Sequence, residues 1–309
     1  MLNYDFSCVI VTYDRLNKLK QTLRYYDALE FFPKNVIIVD NASNIDTKVY
    51  LDNWQNKKGN FNKFVIHLPQ NIGGSGGFHV GMKKAMQLVP DWIFVGDDDA
   101  YPKADCFKII NNFFKKNKNF TEKNIAAVCT SVYEENQVSK SHRRVIKNYG
   151  LFIKDMNVDE DKYSLEQFEL DLFSYVGAAI RKDILFKVGL PEKDFFIYYD
   201  DTEHSIRVRS EGKVYCIPKA IMYHDVKKRK EVVEIDWRKF YSIRNKLVCY
   251  KLRFGMPAYS FALVEICKAF IKIGLNHNAV EFRLRISAII DGIKMKMGVH
   301  PLYKPGWKL

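Results

Sequence analysis

Trp92-Ile93-Phe94-Val95-Gly96-Asp97-Asp98-Asp99-Ala100 joins an apolar run to three adjacent carboxylates. Trp92–Gly96 has the length and content of a buried strand, and the acids stand just past it. Open α/β sheets gather their ligands beyond the carboxyl ends of strands, where this cluster falls. Adjacent carboxylates repel one another unless a proton or a cation offsets the charge. Hard oxygen donors at this spacing suit Mg2+ or Mn2+, and such ions in turn suit a diphosphate. A solvated acidic turn would use the same residues, so the neighbouring segments decide between the two.

Short apolar runs recur at Phe6–Thr12, Val36–Asp40, Phe64–Leu68 and Ile125–Thr130. Between them lie helical stripes: Leu16, Leu19 and Leu23, then Met82, Ala85, Met86 and Val89. Strands alternating with helices predict an α/β domain on a mainly parallel, Rossmann-like sheet flanked by helices. Residues 131–172, with Glu134-Glu135-Asn136 and Asp159-Glu160-Asp161, read as a loop-rich excursion over that sheet. A helix is expected from about Thr202 to Glu211, stopped by Gly212. Val214–Ile217 reads as a short strand closed by Pro218, and from Asp236 onward the pattern is helical.

With 309 residues, 47% of them hydrophobic, the chain can bury the core of one large domain or two smaller ones. Its six cysteines include no CxxC pair and several sit in apolar runs, as in a reducing compartment. Met1-Leu2-Asn3-Tyr4-Asp5 shows no signal-peptide pattern, and no charge-free run has spanning length, so a cytoplasmic protein is expected. Charge is uneven. Residues 1–226 hold 31 Lys/Arg against 30 Asp/Glu, whereas residues 227–309 hold 18 against 6, so the tail carries most of the net +13. This divides the chain into a catalytic domain, 1–226, and a basic helical C-terminal lobe, 227–309. In the lobe, Ile286, Ile289, Ile290, Ile293 and Met297 form one stripe, and Leu263, Ile266, Cys267 and Phe270 another. Basic amphipathic helices point to a peripheral contact with an anionic membrane surface, or else to internal packing or a homo-oligomer contact. Nucleic acid is the other anionic partner that such charge allows, but no reading motif accompanies it and none is expected.

Further segments carry chemistry. Asn71-Ile72-Gly73-Gly74-Ser75-Gly76-Gly77-Phe78 follows a strand and opens a helix, where glycines let backbone N–H groups approach an anion. It is neither a dinucleotide fingerprint nor a Walker A loop. Asp40 and Asn41 end the second strand and could grip ribose or base, or form an Asx turn. Thr12-Tyr13-Asp14-Arg15 ends the first strand with an aromatic face and a guanidinium. Asp200 and Asp201 stand at a helix start, where a carboxylate is a candidate general base or a plain cap. His224 could complete a metal site with the first acidic cluster, or be structural.

In order, VTYDR, IIVDNAS, NIGGSGGF, FVGDDDA, IYYDDTEHSIR and MYHD resemble the inverting GT-A glycosyltransferases of family 2 over roughly residues 5–226. NIGGSGGF with DDDA is most similar to the galactofuranosyltransferase branch, which uses UDP-galactofuranose. The rhamnosyltransferase branch, using dTDP-rhamnose, is similar in the C-terminal portion, where Phe240-Tyr241-Ser242-Ile243-Arg244-Asn245 resembles a common element. The resemblance implies a GT-A fold, Mn2+ or Mg2+ held by Asp97, Asp99 and His224, and Asp201 as catalytic base with Asp200 in support. It implies donor contacts from Thr12, Tyr13, Arg15, Asp40, Asn41, Asn71, Gly73, Gly74, Ser75, Gly76, Gly77, Asp97 and Asp98. It also implies a glycan acceptor, lipid-linked in surface polysaccharide synthesis. Tyr175-Val176-Gly177-Ala178-Ala179 departs from the pattern, standing where some galactofuranosyltransferases place paired tryptophans. A nucleotidyltransferase, which would release pyrophosphate, is the other metal-using reading of the acids.

Overall fold

The computed structural model describes residues 3–117, 124–226, 235–276 and 278–309. Its first third alternates β1 (Phe6–Thr12), α1 (Leu16–Asp27), β2 (Asn35–Asp40), α2 (Ile45–Asn56), β3 (Asn62–His67), α3 (Gly73–Gln87) and β4 (Trp92–Asp97). These strands are parallel in the order β3-β2-β1-β4. Every residue of β1 and β2 is buried, because helices cover both faces of the sheet. Alternate residues of β1 serve opposite cores: Phe6, Cys8 and Ile10 on one face, Val9 and Val11 on the other. Met82 and Ala85 of α3 pack into the second core, as their spacing predicts.

After β4 come β5 (Ala100–Pro102), α4 (Cys106–Lys116), β6 (Ile125–Glu134) and β7 (Gln137–Val138), then β8 (Arg143–Asn148), β9 (Ile153–Asn157), β10 (Phe168–Leu170), β11 (Leu172–Phe173) and β12 (Ala178–Arg181). The loop-rich excursion expected at 131–172 is therefore corrected: β6 runs on to Glu134, and β11-β8-β9 form a small antiparallel sheet. Glu135 and Asn136 are a hairpin turn with φ of 47° and 66°, the left-handed pair that a two-residue turn between twisted strands requires. Strand β12 is inserted antiparallel between β4 and β6. α5 (Lys182–Val188) and α6 (Asp200–Ser210) follow, then β13 (Lys213–His224) beside β6. Pro218 does not close this strand. A register shift between Ile217 and Ile221 places it in a bulge, where no ladder N–H is needed.

The C-terminal region is helical, with α7 (Trp237–Arg253), α8 (Pro257–Asn276) and α9 (Ala279–Ile293). Its core is shared with the first part of the chain: Phe195 and Phe196 pack with Trp237, Phe240, Tyr241 and Leu284. Arg285 is buried between Glu265 and Glu281, joining α8 to α9 by ion pairs. Among the described residues, no helix is long and apolar enough to cross a membrane.

Candidate active site

Chain reversal between β3 and β4 brings the carboxyl ends of β1 and β4 side by side, the switch point at which open sheets bind ligands. Thr12 Oγ1 donates to Asp98 Oδ2 at 2.7 Å, and Arg15 reaches Asp98 Oδ1 at 2.6 Å and Asp99 Oδ2 at 2.5 Å. The short strand β5 then pairs with the end of β13, setting His224 opposite Ala100, and the Asp225 N–H donates to Asp99 O. This register delivers His224 to the acids. Its Nε2 lies 3.6 Å from Asp99 Oδ1, and one donor atom each from Asp97, Asp99 and His224 fall within 4.8 Å of one another.

The electrostatics fit a cation there. Burial, then the Asp99 charge, raises Asp97 to about 6, and burial raises Asp98 to about 7 despite Arg15. Burial opposes the ionised form of Asp99 as well, but His224 and Arg15 hold it below its usual range. For His224, burial is outweighed by Asp99 and Asp97, which raise the imidazole to about 9. Asp99 Oδ1 is buried without a hydrogen-bond partner, so a ligand atom is left over inside a hard-donor set.

Glu134 and His142 were not singled out from sequence, because they stand in the stretch read as loop. Glu134 Oε1 contacts His224 Nδ1 at 2.8 Å and His142 Nε2 at 3.0 Å, while His142 Nδ1 meets Ser174 Oγ at 2.7 Å. Burial lowers His142 to about 4, so this imidazole is neutral. The network therefore assigns Nδ1–H of His224 to Glu134 and leaves Nε2 toward the acids, as in carboxylate–histidine–metal arrangements.

On the donor side, Asp40 is fully buried and both of its oxygens are engaged, Oδ1 by the Ser43 N–H and Oδ2 by His67. Asn41 fastens the glycine segment: its amide donates to Asn71 Oδ1 and Gly73 O and accepts from the Ile72 N–H. Gly73 takes a φ of 78°, and a Cβ there would sit 2.0 Å from Phe196 O. A Cβ on Gly77 would meet Val11 Cγ1 at 2.5 Å, so this glycine lets α3 approach the sheet. The N–H groups of Gly73 and Ser75 already bond Asn71 and Phe196, whereas Gly74 faces open space. Gly76 packs on Ile72. Tyr13 is exposed beside Arg15, whose side chain is half exposed.

The second acidic pair begins α6, two residues earlier than the expected helix start. Phe196, Tyr198 and Tyr199 precede it with φ of 67°, 64° and 66°, a costly conformation for aromatic residues. Asn245 from α7 secures this turn by donating its amide to the carbonyls of Phe195, Ile197 and Tyr198 at 2.7–3.0 Å. Arg244 bonds Phe195 O and Gly298 O. Sequence flagged Phe240–Asn245 as a resemblance only, with no role attached. Burial, then the charge of Asp201, raises Asp200 well above the carboxylate range. Burial raises Asp201 also, but Arg144 and the Thr202 N–H and hydroxyl favour its ionised form. A buried carboxyl beside a half-buried one cannot readily ionise together with it, and the surroundings select Asp201 as the charged one. Its charge acts on Asp97, so the two acidic groups lie within electrostatic reach of each other.

Comparison with known proteins bears on the family and the fold. The chain is 24% identical to the dTDP-rhamnosyl transferase RfbF of Shigella flexneri over 314 aligned positions, covering 95% of this chain and 97% of that one. It is 24% identical to galactofuranosyltransferase GlfT1 of Mycolicibacterium smegmatis over 203 positions, 65% of each protein. A crystal structure of GalNAc-T7 with UDP, GalNAc and Mn2+ superposes with a TM-score of 0.61 at 13% identity, over 93% of this chain and 55% of that one, which shows a shared GT-A fold. The family model described as glycosyl transferase family 2 matches residues 7–188, more than half of the chain, and with these relatives it establishes that the chain belongs to that family and is a glycosyltransferase.

Proposed function

We propose that the protein transfers galactofuranose from UDP-galactofuranose to a hydroxyl of a lipid-linked glycan, inverting the anomeric centre, with Mn2+ or Mg2+ bound. The observation carrying this reading is the Asp97–Asp99–His224 set at the strand ends, whose donor atoms fall within 4.8 Å of one another, with Asp201 in electrostatic reach of Asp97. Asp97, Asp99 and His224 would hold the cation, which when bound supplies a Lewis acid to neutralise the departing nucleoside diphosphate. Glu134 fixes the His224 ring, and Arg15 holds Asp98 and Asp99 while offering its exposed edge to phosphate. Tyr13 and Thr12 line the nucleotide side, and Asn41 and Asn71 set the Gly73–Gly77 segment beside the sugar. Asp201 takes the proton of the acceptor hydroxyl as that oxygen attacks from the face opposite the diphosphate, while Asp200 stays protonated and supports the helix start.

A second donor, dTDP-rhamnose, is favoured by one observation: the likeness to RfbF runs the full chain, including the helical lobe. Incubation with a donor panel separates the two. UDP release from UDP-galactofuranose supports the first, dTDP release the second, and pyrophosphate from either would replace transfer by nucleotidyl chemistry.

In this reading residues 1–226 carry the chemistry and 227–309 hold the enzyme at the cytoplasmic face of a membrane. Leu263, Cys267 and Phe270 are exposed on α8 and Ile290 and Ile293 on α9, with Lys268 exposed among them. Ile289 of the expected stripe is buried and belongs to the core. The basic run Lys227-Lys228-Arg229-Lys230 lies outside the described residues. Flotation with anionic vesicles at low and high salt tests this assignment, and concentration-dependent sedimentation without flotation would make the face an oligomer contact.

A further inference from the structure

The β8–β9 hairpin ends in Tyr149-Gly150-Leu151-Phe152, on the small sheet rather than on the helical lobe. The turn is ordered. The Tyr149 N–H donates to Phe152 O at 2.8 Å, the Gly150 N–H donates to Asn148 Oδ1 at 2.9 Å, and Gly150 takes a φ of 76°. Yet Tyr149, Leu151 and Phe152 are 61%, 55% and 55% exposed, so a fixed backbone presents three large apolar side chains to solvent. Behind them, Lys147 and Lys154 are directly opposite across the hairpin, and both are exposed. Like charges at facing positions destabilise a strand pair, and neither lysine has an ion-pair partner among the described residues.

The root of the hairpin is bound to the base. Ile146 and Ile153 line a small cavity together with Tyr199 and Thr202 at the start of α6 and with Phe254 just after α7. The Tyr250 hydroxyl donates to Ile153 O at 3.3 Å. Asp155 pairs with Arg144, which donates to Thr202 Oγ1 at 2.8 Å. The tip is thus held at a fixed offset from Asp201.

We propose that this tip docks on an anionic phospholipid surface. Tyr149, Leu151 and Phe152 enter the boundary between headgroups and acyl chains, and Lys147 and Lys154 meet headgroup phosphates. Charge decides the occupant: a two-fold contact of this tip with a second copy sets lysine against lysine. Size agrees, because a stable protein interface buries roughly 1,000 Å² or more, whereas interfacial insertion needs only a few apolar residues. The docking would bring a lipid-carried acceptor to Asp201, but it does not depend on which donor is used.

The test uses the full chain with Leu151→Cys in a Cys267→Ser background, since Cys267 is the exposed native thiol, labelled with a solvent-sensitive dye. Mixed with vesicles containing phosphatidylglycerol, the probe should shift to the blue; with neutral phosphatidylcholine vesicles it should not. Lys147→Gln with Lys154→Gln should lower vesicle affinity by about 30-fold, at roughly 1 kcal/mol per basic residue near the surface, without changing donor hydrolysis. A probe that stays aqueous on vesicles with which the protein floats would overturn the proposal and leave docking to the helical face. A blue shift without lipid that grows with protein concentration would overturn it in favour of a second copy. Dye insertion with no donor hydrolysed would keep the docking and remove the proposed transfer.

Discussion

The acidic cluster after β4 and the acidic pair opening α6 both gather buried carboxylates, but different parts of the chain hold them in place. Asp97, Asp98 and Asp99 are positioned by their own strand, by Thr12 and Arg15 at the end of the neighbouring one, and by one antiparallel register that delivers His224. Asp200 and Asp201 follow a turn with three left-handed aromatic residues, kept in shape by Asn245 from a helix 44 residues later. The first site is built into the sheet. The shape of the second depends on the C-terminal lobe, through Asn245.

Removing charge from each site should have the largest effects. Asp99→Ala should abolish Mn2+-dependent turnover with the fold retained, and His224→Ala should weaken it less, since an imidazole that ligates a cation has given up its proton and supplies no charge. Full turnover of the Asp99 variant in excess EDTA would end the metal assignment. Asp201→Asn should leave donor affinity near wild type and lower kcat by roughly 10²- to 10⁴-fold, the range for losing a general base. Asp200→Asn should be milder. The reverse ranking would move the base to Asp200.

Supporting residues should show how far each site depends on its surroundings. Glu134→Gln should weaken Mn2+ binding by about 10- to 100-fold, measured by titration of the metal alone, with little effect on thermal stability. Asn245→Ala should act on the other site, lowering kcat while Mn2+ affinity stays unchanged. It also takes a donor from the part-buried carbonyls of Ile197 and Tyr198, at a cost of up to about 1–3 kcal/mol each, while Phe195 O keeps the Ile197 N–H and Arg244. Leu247→Ala, a core truncation in the same helix, controls for stability alone, because its expected cost is about 2–5 kcal/mol with the turn still held. Equal kcat in the two variants at matched folded fraction would show that Asn245 stabilises the lobe without setting the base.

The same contrast explains what was legible in the sequence. The strands around Asp97–Asp99 are continuous apolar runs, so their existence, and the placing of acids at a strand end, could be read directly. Strands β8 and β9 are half-buried and polar, so their periodicity is weak, and the stretch holding Glu134, His142 and Arg144 read as loop. Pro218 misled because a bulge removes the need for its missing N–H. Asn245 carried no local signal for its role: one amide contacting three carbonyls some 47–50 residues earlier is a tertiary relation. The glycines of 73–77 were legible as a segment, but part of their purpose is close packing on Val11 and Phe196.

The smallest expected effect is on stability with pH, and it belongs to the base helix. His204 of α6 is fully buried, with Nδ1 on the Tyr175 hydroxyl at 2.7 Å and Nε2 on Gly189 O at 3.1 Å. Burial, then the charge of Arg207, lowers its pKa to about 3. In the unfolded chain the imidazole titrates near 6.5, so between these values the unfolded state binds more protons and stability falls as pH falls. From pH 7 to pH 5 this single group should remove about 2 kcal/mol. His204→Gln, which keeps a polar group but cannot titrate, should lose that much less than wild type over the same interval, measured as the difference in urea unfolding free energy. Subtracting the two cancels His142, which is buried and neutral in both. Parallel pH profiles for wild type and variant would show that α6 is not anchored by a neutral imidazole, leaving the turn before it to Asn245, Arg244 and the Ser75 N–H.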